Sequence, residues 1–332
     1  MKRRALILGV TGQLGSYLAD LLLEKDYEVF GLIRRTSTNS QGRIRHLLDR
    51  LILVVGDLTD THSVEYAVQL ARPHEVYNCA AQTHVGTSYR EPVHTMAVTG
   101  IGAVHLFEAI RTHTTLSAAV RVYQASSSEM FGNSPIPQTE ETPFAPRSPY
   151  ACAKVFAHHM AQMYRQAYGL FIACGIHFNF ESPRRGEDFV TRTITRTLGR
   201  IVAGTETQLR LGNLAPRRDW SHAKDAARAA WLMLQHPSPD DYVIASGVSH
   251  SVFELAEAAC TIAGVDVQKV LVTDPTRLRP TDVLHLEGCA NKARRVLGWT
   301  PTVTFQELIR EMVEHDRALA VAESGCASGI KG

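Results

Sequence analysis

The stretch ILGVTGQLGSYLADLLL, residues 7–23, decides how the chain is read. An apolar run ends at Gly9, and glycines recur at Gly12 and Gly15 as an amphipathic pattern begins at Gln13. Glycines at a strand-to-helix turn permit a tight bend and let the backbone approach a pyrophosphate, which sits on the positive end of the helix. The spacing is G-x-x-G-x-x-G rather than the more familiar G-x-G-x-x-G, and alone it marks only a tight turn. A strand before it and a helix after it favour a dinucleotide-binding turn, with Thr11, Gln13 and Leu14 beside the three glycines.

Outward from that turn, apolar or β-branched runs at 5–10, 28–33, 51–55, 75–79, 119–125 and 171–178 alternate with helical patterns at 13–25, 62–71, 96–112 and 150–168. Strand–helix repetition of this pitch builds a parallel sheet covered on both faces. The strands read as continuous apolar runs, as two-sided burial requires. The expected fold is α/β, a Rossmann-type doubly wound parallel sheet with a smaller, mainly helical substrate-binding lobe. The nucleotide-binding domain is placed at 1–178, with returning elements near 218–246. The interleaved lobe falls at 179–320, where Pro, Gly and Arg become frequent, and a disordered tail at 321–332.

Bulk properties narrow the function. The chain has 332 residues, 35 Lys and Arg against 33 Asp and Glu, and a net charge of +2, so no strong field for nucleic acid or an anionic membrane is implied. The opening MKRRALILGV is apolar for only a few residues before its glycines, which suits a first strand better than a signal peptide. No apolar stretch approaches a membrane span on this reading, and a cytoplasmic protein is expected. Six cysteines lack paired spacing, and His158 and His159 lie on a helix without a partner at metal spacing, so no metal is expected.

The second strand, EVFGLIRRTST, ends in Arg34 and Arg35, followed by Thr36 and Ser37. An acid at this place would bind the ribose 2′-hydroxyl of NAD, whereas arginine accommodates a 2′-phosphate. NADP is therefore expected; two solvated surface arginines are the plain alternative. After the third strand, Asp57 is placed to accept from the adenine amine, with Leu58 beside it. After the fourth, Cys79, Ala80, Ala81, Gln82 and Thr83 leave room for a flat ring.

The chemistry lies in two further stretches. In SPYACAKVF, Tyr150 and Lys154 are four residues apart on one helix face, so the ammonium is expected beside the phenol; that proximity, with a positive nicotinamide nearby, is expected to lower the phenol pKa and make it a base. In YQASSSEMFG, Ser127 is placed beside that phenol, and Glu129 is surplus to simple hydride transfer. A carboxylate there suits an enzyme that removes a carbon-bound proton and expels water.

Taken in order, GVTGQLGSYL, GLIRRTSTNSQGRIRHL, VYNCAAQTHV, YQASSSEMFG, PRSPYACAK, NFESPRRGEDFVTR, LRLGNLAPRRDWSHAKD and RPTDV resemble the GDP-mannose 4,6-dehydratase family. That family is a branch of the extended short-chain dehydrogenase/reductase superfamily, and the resemblance runs over residues 3–316. It implies that Tyr150 takes the O4 proton while the C4 hydride goes to NADP. Glu129 then removes the C5 proton, water leaves from C6, and the hydride returns to C6. Lys154 would tune Tyr150 and hold the nicotinamide ribose. His94, Phe180 and Arg185 would join the cofactor site. Ser88, Asn179, Val190, Arg218, Arg279 and Asp282 would bind a GDP-sugar, with Arg218 and Arg279 on the diphosphate; for Arg218 a salt bridge with Asp219 is the alternative. The 35–43 loop resembles a segment that reaches a neighbouring subunit's cofactor, which implies a homotetramer.

Four positions depart from the family pattern. Ser127 stands where threonine is usual, Phe180 for a histidine, Thr193 for a lysine and Asp282 for a longer acid. GDP-mannose and a GDP-linked manno-heptose thus both remain open as substrate. A 4-epimerase or 4-keto reductase on the same scaffold would have no use for Glu129, and an NADP-binding regulatory protein would have none for a positioned base.

Overall fold

A computed structural model describes residues 2–37, 40–113, 120–278 and 281–328. The first half of the chain comprises β1 (Arg4–Leu8), α1 (Gln13–Glu24), β2 (Glu28–Ile33), β3 (Leu51–Val55), α2 (Thr61–Ala71), β4 (Glu75–Asn78), α3 (Val85–Arg90), α4 (Pro92–Thr95), α5 (Gly102–Thr112), β5 (Arg121–Ser127) and α6 (Pro149–Tyr168). The second half comprises β6 (Phe171–His177), β7 (Asn179–Glu181), α7 (Val190–Val202), β8 (Leu209–Leu211), β9 (Arg217–His222), α8 (Ala223–Gln235), β10 (Asp241–Ile244) and β11 (Ser249–Ser251). It closes with α9 (Val252–Ala263), α10 (Val267–Val270), β12 (Leu271–Thr273), β13 (His285–Leu286), α11 (Asn291–Leu297) and α12 (Phe305–Ser328).

Seven strands form one parallel sheet in the order β10-β6-β5-β4-β1-β2-β3. Its faces are covered separately. Leu14, Leu18 and Leu22 of α1 share one apolar cluster with Ala226, Ala230 and Met233 of α8; Val64, Val68, Leu106, Phe107 and Ala157 of α2, α5 and α6 share another. Strand order reverses beside β1, which leaves a crevice outside the carboxyl ends of β1 and β4, the place where open α/β sheets bind ligands.

Local signals explain why the site-bearing elements start where they do. Ser148 caps α6 by accepting from the Ala151 amide at 3.1 Å, Pro149 follows at the first helical position, and Gly169 ends the helix at φ 67°. At α1 the cap residue is Gly12, so no side chain covers the first-turn amides. A Cβ on Gly15 would sit 2.3 Å from the Gly9 carbonyl oxygen, so the turn and helix can pack only with glycine there.

Three expectations need correction. β5 starts at Arg121 and runs through Ser127, two residues into the serine cluster, because Ser126 and Ser127 pair in register with Ile176 and His177 of β6. The helical run Pro92–Thr112, with a π-helical segment at Met96–Ile101, is long and apolar enough to cross a membrane by length and composition. Its apolar residues are spent on the core, where Leu106, Phe107 and Ile110 are fully buried. The region beyond 320 is helical to Ser328: Ala320 is buried, and Glu323 meets Arg196 of α7 at 2.6 Å.

The region after β6 also holds more strand than its composition suggests. β7, β9, β11 and β13 form one small sheet and β8 and β12 another, in segments of two to six residues that are too short to show a period. Ile194 and Leu198 of α7, Leu255 and Ala259 of α9 and Ile309, Met312 and Val313 of α12 enclose their own apolar cluster.

Candidate active site

One cavity of about 990 Å³ opens at the carboxyl ends of β1, β4 and β5 and continues between the sheet and the small sheets. That is at the upper end of the range of about 300–1,000 Å³ common for small-molecule sites. Gly9, Thr11, Gly12, Gln13, Leu14 and Gly15 form its floor. Gln13 works from behind: its amide donates to the Phe180 carbonyl at 2.9 Å and accepts from Ser182 at 2.6 Å, tying α1 to β7. Arg34 and Thr36 line the wall at the end of β2, whereas Arg35 and Ser37 are exposed outside it.

Asp57, Leu58, Cys79, Ala80, Ala81, Gln82, Thr83 and His94 line the next wall. Burial pushes the Asp57 carboxyl up, but hydrogen bonds from the Thr59 amide and hydroxyl, with Arg34 and His94 nearby, bring it below the usual carboxylate range. The same burial pushes the Cys79 thiol up to about 12. Ser88 is fully buried, donates to the Val85 carbonyl at 2.7 Å and does not line the cavity.

At the far end lie Ser127, Glu129, Tyr150 and Lys154. Ser127 is both the last residue of β5 and the cap of a 3-10 turn (Ser128–Phe131), accepting from the Glu129 amide at 3.3 Å. Its hydroxyl also hydrogen-bonds the Tyr150 phenol. The expected lowering of the phenol pKa is not supplied by the chain alone. Burial pushes Tyr150 up to about 12, against the Ser127 hydrogen bond and Arg185, while Glu129 pushes it further up. Lys154 is aimed at the Ala125 carbonyl, 2.7 Å from Nζ, and lies 5.8 Å from the Tyr150 ring centre; burial pulls it down to about 8.

Arg218 stands opposite. Its Nε is 3.9 Å from Glu129 Oε1, its Nη2 is 3.7 Å from Asp282 Oδ1, and Nη1 donates to the Val283 carbonyl at 2.7 Å. Asp219, the alternative partner, accepts from the Ser246 amide and hydroxyl and from the Gly247 amide. Asn179, Phe180, Arg185, Val190 and Asp282 also line the cavity; Arg279 lies outside the described residues. Arg185 is 3.2 Å from Glu181 and covers the Phe189 ring at 3.6 Å. Thr193, at the position of the usual lysine, lines the cavity with its hydroxyl donating to the Glu187 carbonyl at 3.1 Å.

Several cavity residues escaped the sequence reading. Arg43 lines this chain's own cavity rather than only projecting outward, with Nε 2.5 Å from the Arg184 carbonyl oxygen. His177, beside Ser127 in register, accepts or donates at 2.5 Å with Tyr123, and burial drives it down to about 3. Its signal was a polar residue at the carboxyl end of an apolar strand. Arg277 lines the wall two residues before Arg279. Outside the cavity floor, His158, Cys174 and Asp241 bring their donor atoms within 4.8 Å of one another, a convergence of three elements invisible to spacing along the chain. The Asp241 oxygens there already accept from Arg165 at 2.6 Å and Gln162 at 2.7 Å.

The residues present fit a nicotinamide dinucleotide: a glycine turn that a Cβ would fill, an uncapped helix N-terminus beneath it, and a continuous cavity from there to Tyr150. The comparisons agree. A family model described as GDP-mannose 4,6 dehydratase matches residues 6–312. GDP-mannose 4,6 dehydratase 2 of Arabidopsis thaliana is 48% identical, covering 97% of this chain and 89% of that protein. The human GDP-mannose 4,6 dehydratase is 44% identical, covering 94% of this chain and 91% of that one. Among solved structures, a Thermus thermophilus UDP-glucose 4-epimerase in complex with NAD superposes at a TM-score of 0.82 with 28% identity, covering 95% of this chain and 99% of that one. The chain belongs to the GDP-mannose 4,6-dehydratase family.

Proposed function

We propose that the chain is a hydro-lyase that converts GDP-mannose to GDP-4-keto-6-deoxymannose, with Tyr150 and Glu129 acting on adjacent carbons of one sugar. The observation that carries this reading is the single cavity end where Ser127 bridges the Tyr150 phenol and the Glu129 turn, with Arg218 opposite. When bound, the oxidised nicotinamide supplies a hydride acceptor at C4, a positive charge beside the phenol, and the same electron pair back at C6.

The chain does the rest. Tyr150 removes the O4 proton, and Ser127 orients both the phenol and the sugar oxygen. Once C4 is a ketone, the C5 hydrogen is acidic; Glu129 takes that proton and gives it to the departing C6 hydroxyl, so water leaves. As the hydride returns to C6, C5 takes a proton from solvent through Glu129 and Tyr150 releases the O4 proton to solvent, so the count of protons closes. Lys154, fixed on the Ala125 carbonyl, keeps a cation behind the phenol. Arg218 holds Glu129 on one side and is placed to reach the diphosphate, where a guanidinium fork suits phosphate oxygens. Arg279 is proposed as its companion on the diphosphate.

NADP is the proposed cofactor, supported by Arg34 and Thr36 on the cavity wall at the end of β2. Homotetramer assembly is proposed because the 35–43 loop resembles a segment that reaches a neighbouring subunit's cofactor, and Arg35 at its start is exposed. The division into a cofactor domain at 1–178 and a GDP-sugar lobe at 179–320 is proposed likewise.

Glu129→Gln keeps the shape of the side chain but not its basicity. Dehydration of GDP-mannose should fall about 10²–10⁴-fold in kcat while GDP-mannose affinity holds; a kcat near that of the unaltered enzyme would refute the role of Glu129. Calorimetry should show NADP binding about tenfold or more tighter than NAD, a difference that Arg34→Ala removes; equal affinities in the unaltered protein would count against NADP. Light scattering at micromolar concentration should give the mass of four chains, and a monomer would contradict the assembly.

A further inference from the structure

A buried ion pair outside the cavity reaches into it through the backbone. Asp316 of α12 is fully buried and accepts from Arg192 of α7 at both oxygens, 3.0 Å from Nε and 2.9 Å from Nη2, and from Thr195 at 2.5 Å. A bidentate fork of this kind fixes orientation as well as charge. The remaining nitrogen of Arg192, Nη1, donates to two carbonyls of the turn after β7: Pro183, and Arg185 at 2.9 Å. Arg192 is itself 4% exposed and does not line the cavity, so its whole donor set is spent between one helix and one turn.

The fit between the two helices is specific. A Cβ on Gly199 would lie 2.6 Å from the Asp316 carbonyl oxygen, so glycine sets the close approach that lets Asp316 reach Arg192. The turn so held carries Arg185, which is 3.2 Å from Glu181 and faces the cavity beside Phe189. No described residue of α12 lines the cavity, yet α12 is tied to this turn by the Asp316–Arg192 fork and, more loosely, by Glu323 through Arg196, whose Nε lies 3.5 Å from Glu187.

We propose that Arg192 and Asp316 are positioning residues for the cofactor side of the site, fixing the turn that presents Arg185. The proposal rests on the reading of Arg185 as a cofactor contact. Loosening the fork therefore weakens cofactor binding and leaves the diphosphate end of the cavity, assigned to Arg218 of β9 and to Arg279, unchanged.

Three variants of the full-length protein separate this from a loss of stability: Arg192→Lys and Asp316→Asn break the fork, and Thr195→Val removes only the third donor to Asp316. Calorimetry with NADP and, separately, with GDP gives the two affinities, and thermal melting ranks the variants. The expected result is an NADP Kd raised about tenfold, or about 1.4 kcal/mol, in Arg192→Lys and Asp316→Asn. The GDP Kd should stay within about twofold, and Thr195→Val should lower the melting temperature without moving either Kd. An NADP Kd in the two fork variants no higher than in Thr195→Val, or a parallel loss of GDP affinity, overturns the proposal. Arg185→Ala distinguishes the failures: if it leaves NADP affinity intact, the cofactor reading of Arg185 falls and the proposal with it. If Arg185→Ala weakens NADP and the fork variants do not, the positioning proposal alone falls.

Discussion

Ser127 holds the site together because it ends a strand and begins a turn with the same hydroxyl. As the last residue of β5 it is fixed by register to His177 of β6; as the cap of the turn after it, it takes the Glu129 amide. The hydrogen bond with Tyr150 then ties the phenol to the residue that also caps the turn carrying Glu129. A general acid–base pair that serves two neighbouring carbons needs a fixed offset, since a displacement of about an ångström costs orders of magnitude in rate. Strands of a buried parallel sheet supply the rigidity, and the glycine turn at the other end of the cavity supplies the anchor for the cofactor.

Protonation follows from burial. The chain alone leaves Tyr150 protonated well past neutral pH and holds Lys154 at about 8, because both sit out of water with few opposite charges around them. In the proposed mechanism, activation of the phenol waits for the positive charge of the nicotinamide, and the low dielectric that raises the phenol pKa strengthens its attraction to that charge.

Much of the sheet could be read directly. Six continuous apolar runs became strands of the main sheet, and the glycine turn, Asp57, the Cys79–Thr83 segment and the Ser127, Glu129, Tyr150 and Lys154 set all converge on one cavity. The remainder was hidden for identifiable reasons. Arg43 meets the glycine turn through a tertiary contact, Nη1 to the Thr11 carbonyl at 3.4 Å, that no local period records. The helix beyond 320 reads as polar and unpromising, and gains its order from Arg196, more than a hundred residues away. Ser88 and Arg35 have suitable chemistry, but one hydroxyl is spent on its own helix and the other side chain points to water. The Lys154–Tyr150 spacing put the pair on one helix face, while the burial that raises the phenol in the chain alone leaves no mark on spacing along the sequence.

The central claim, that Glu129 moves a proton at C5 while the C4 hydride is stored and returned within one active site, is tested most directly by turning GDP-mannose over in deuterated water and locating the label. The account predicts a product lighter by one water, with one solvent deuterium at C5 and none at C6. Deuterium delivered to C6, or a product formed with C5 unlabelled from the first turnovers, would contradict it.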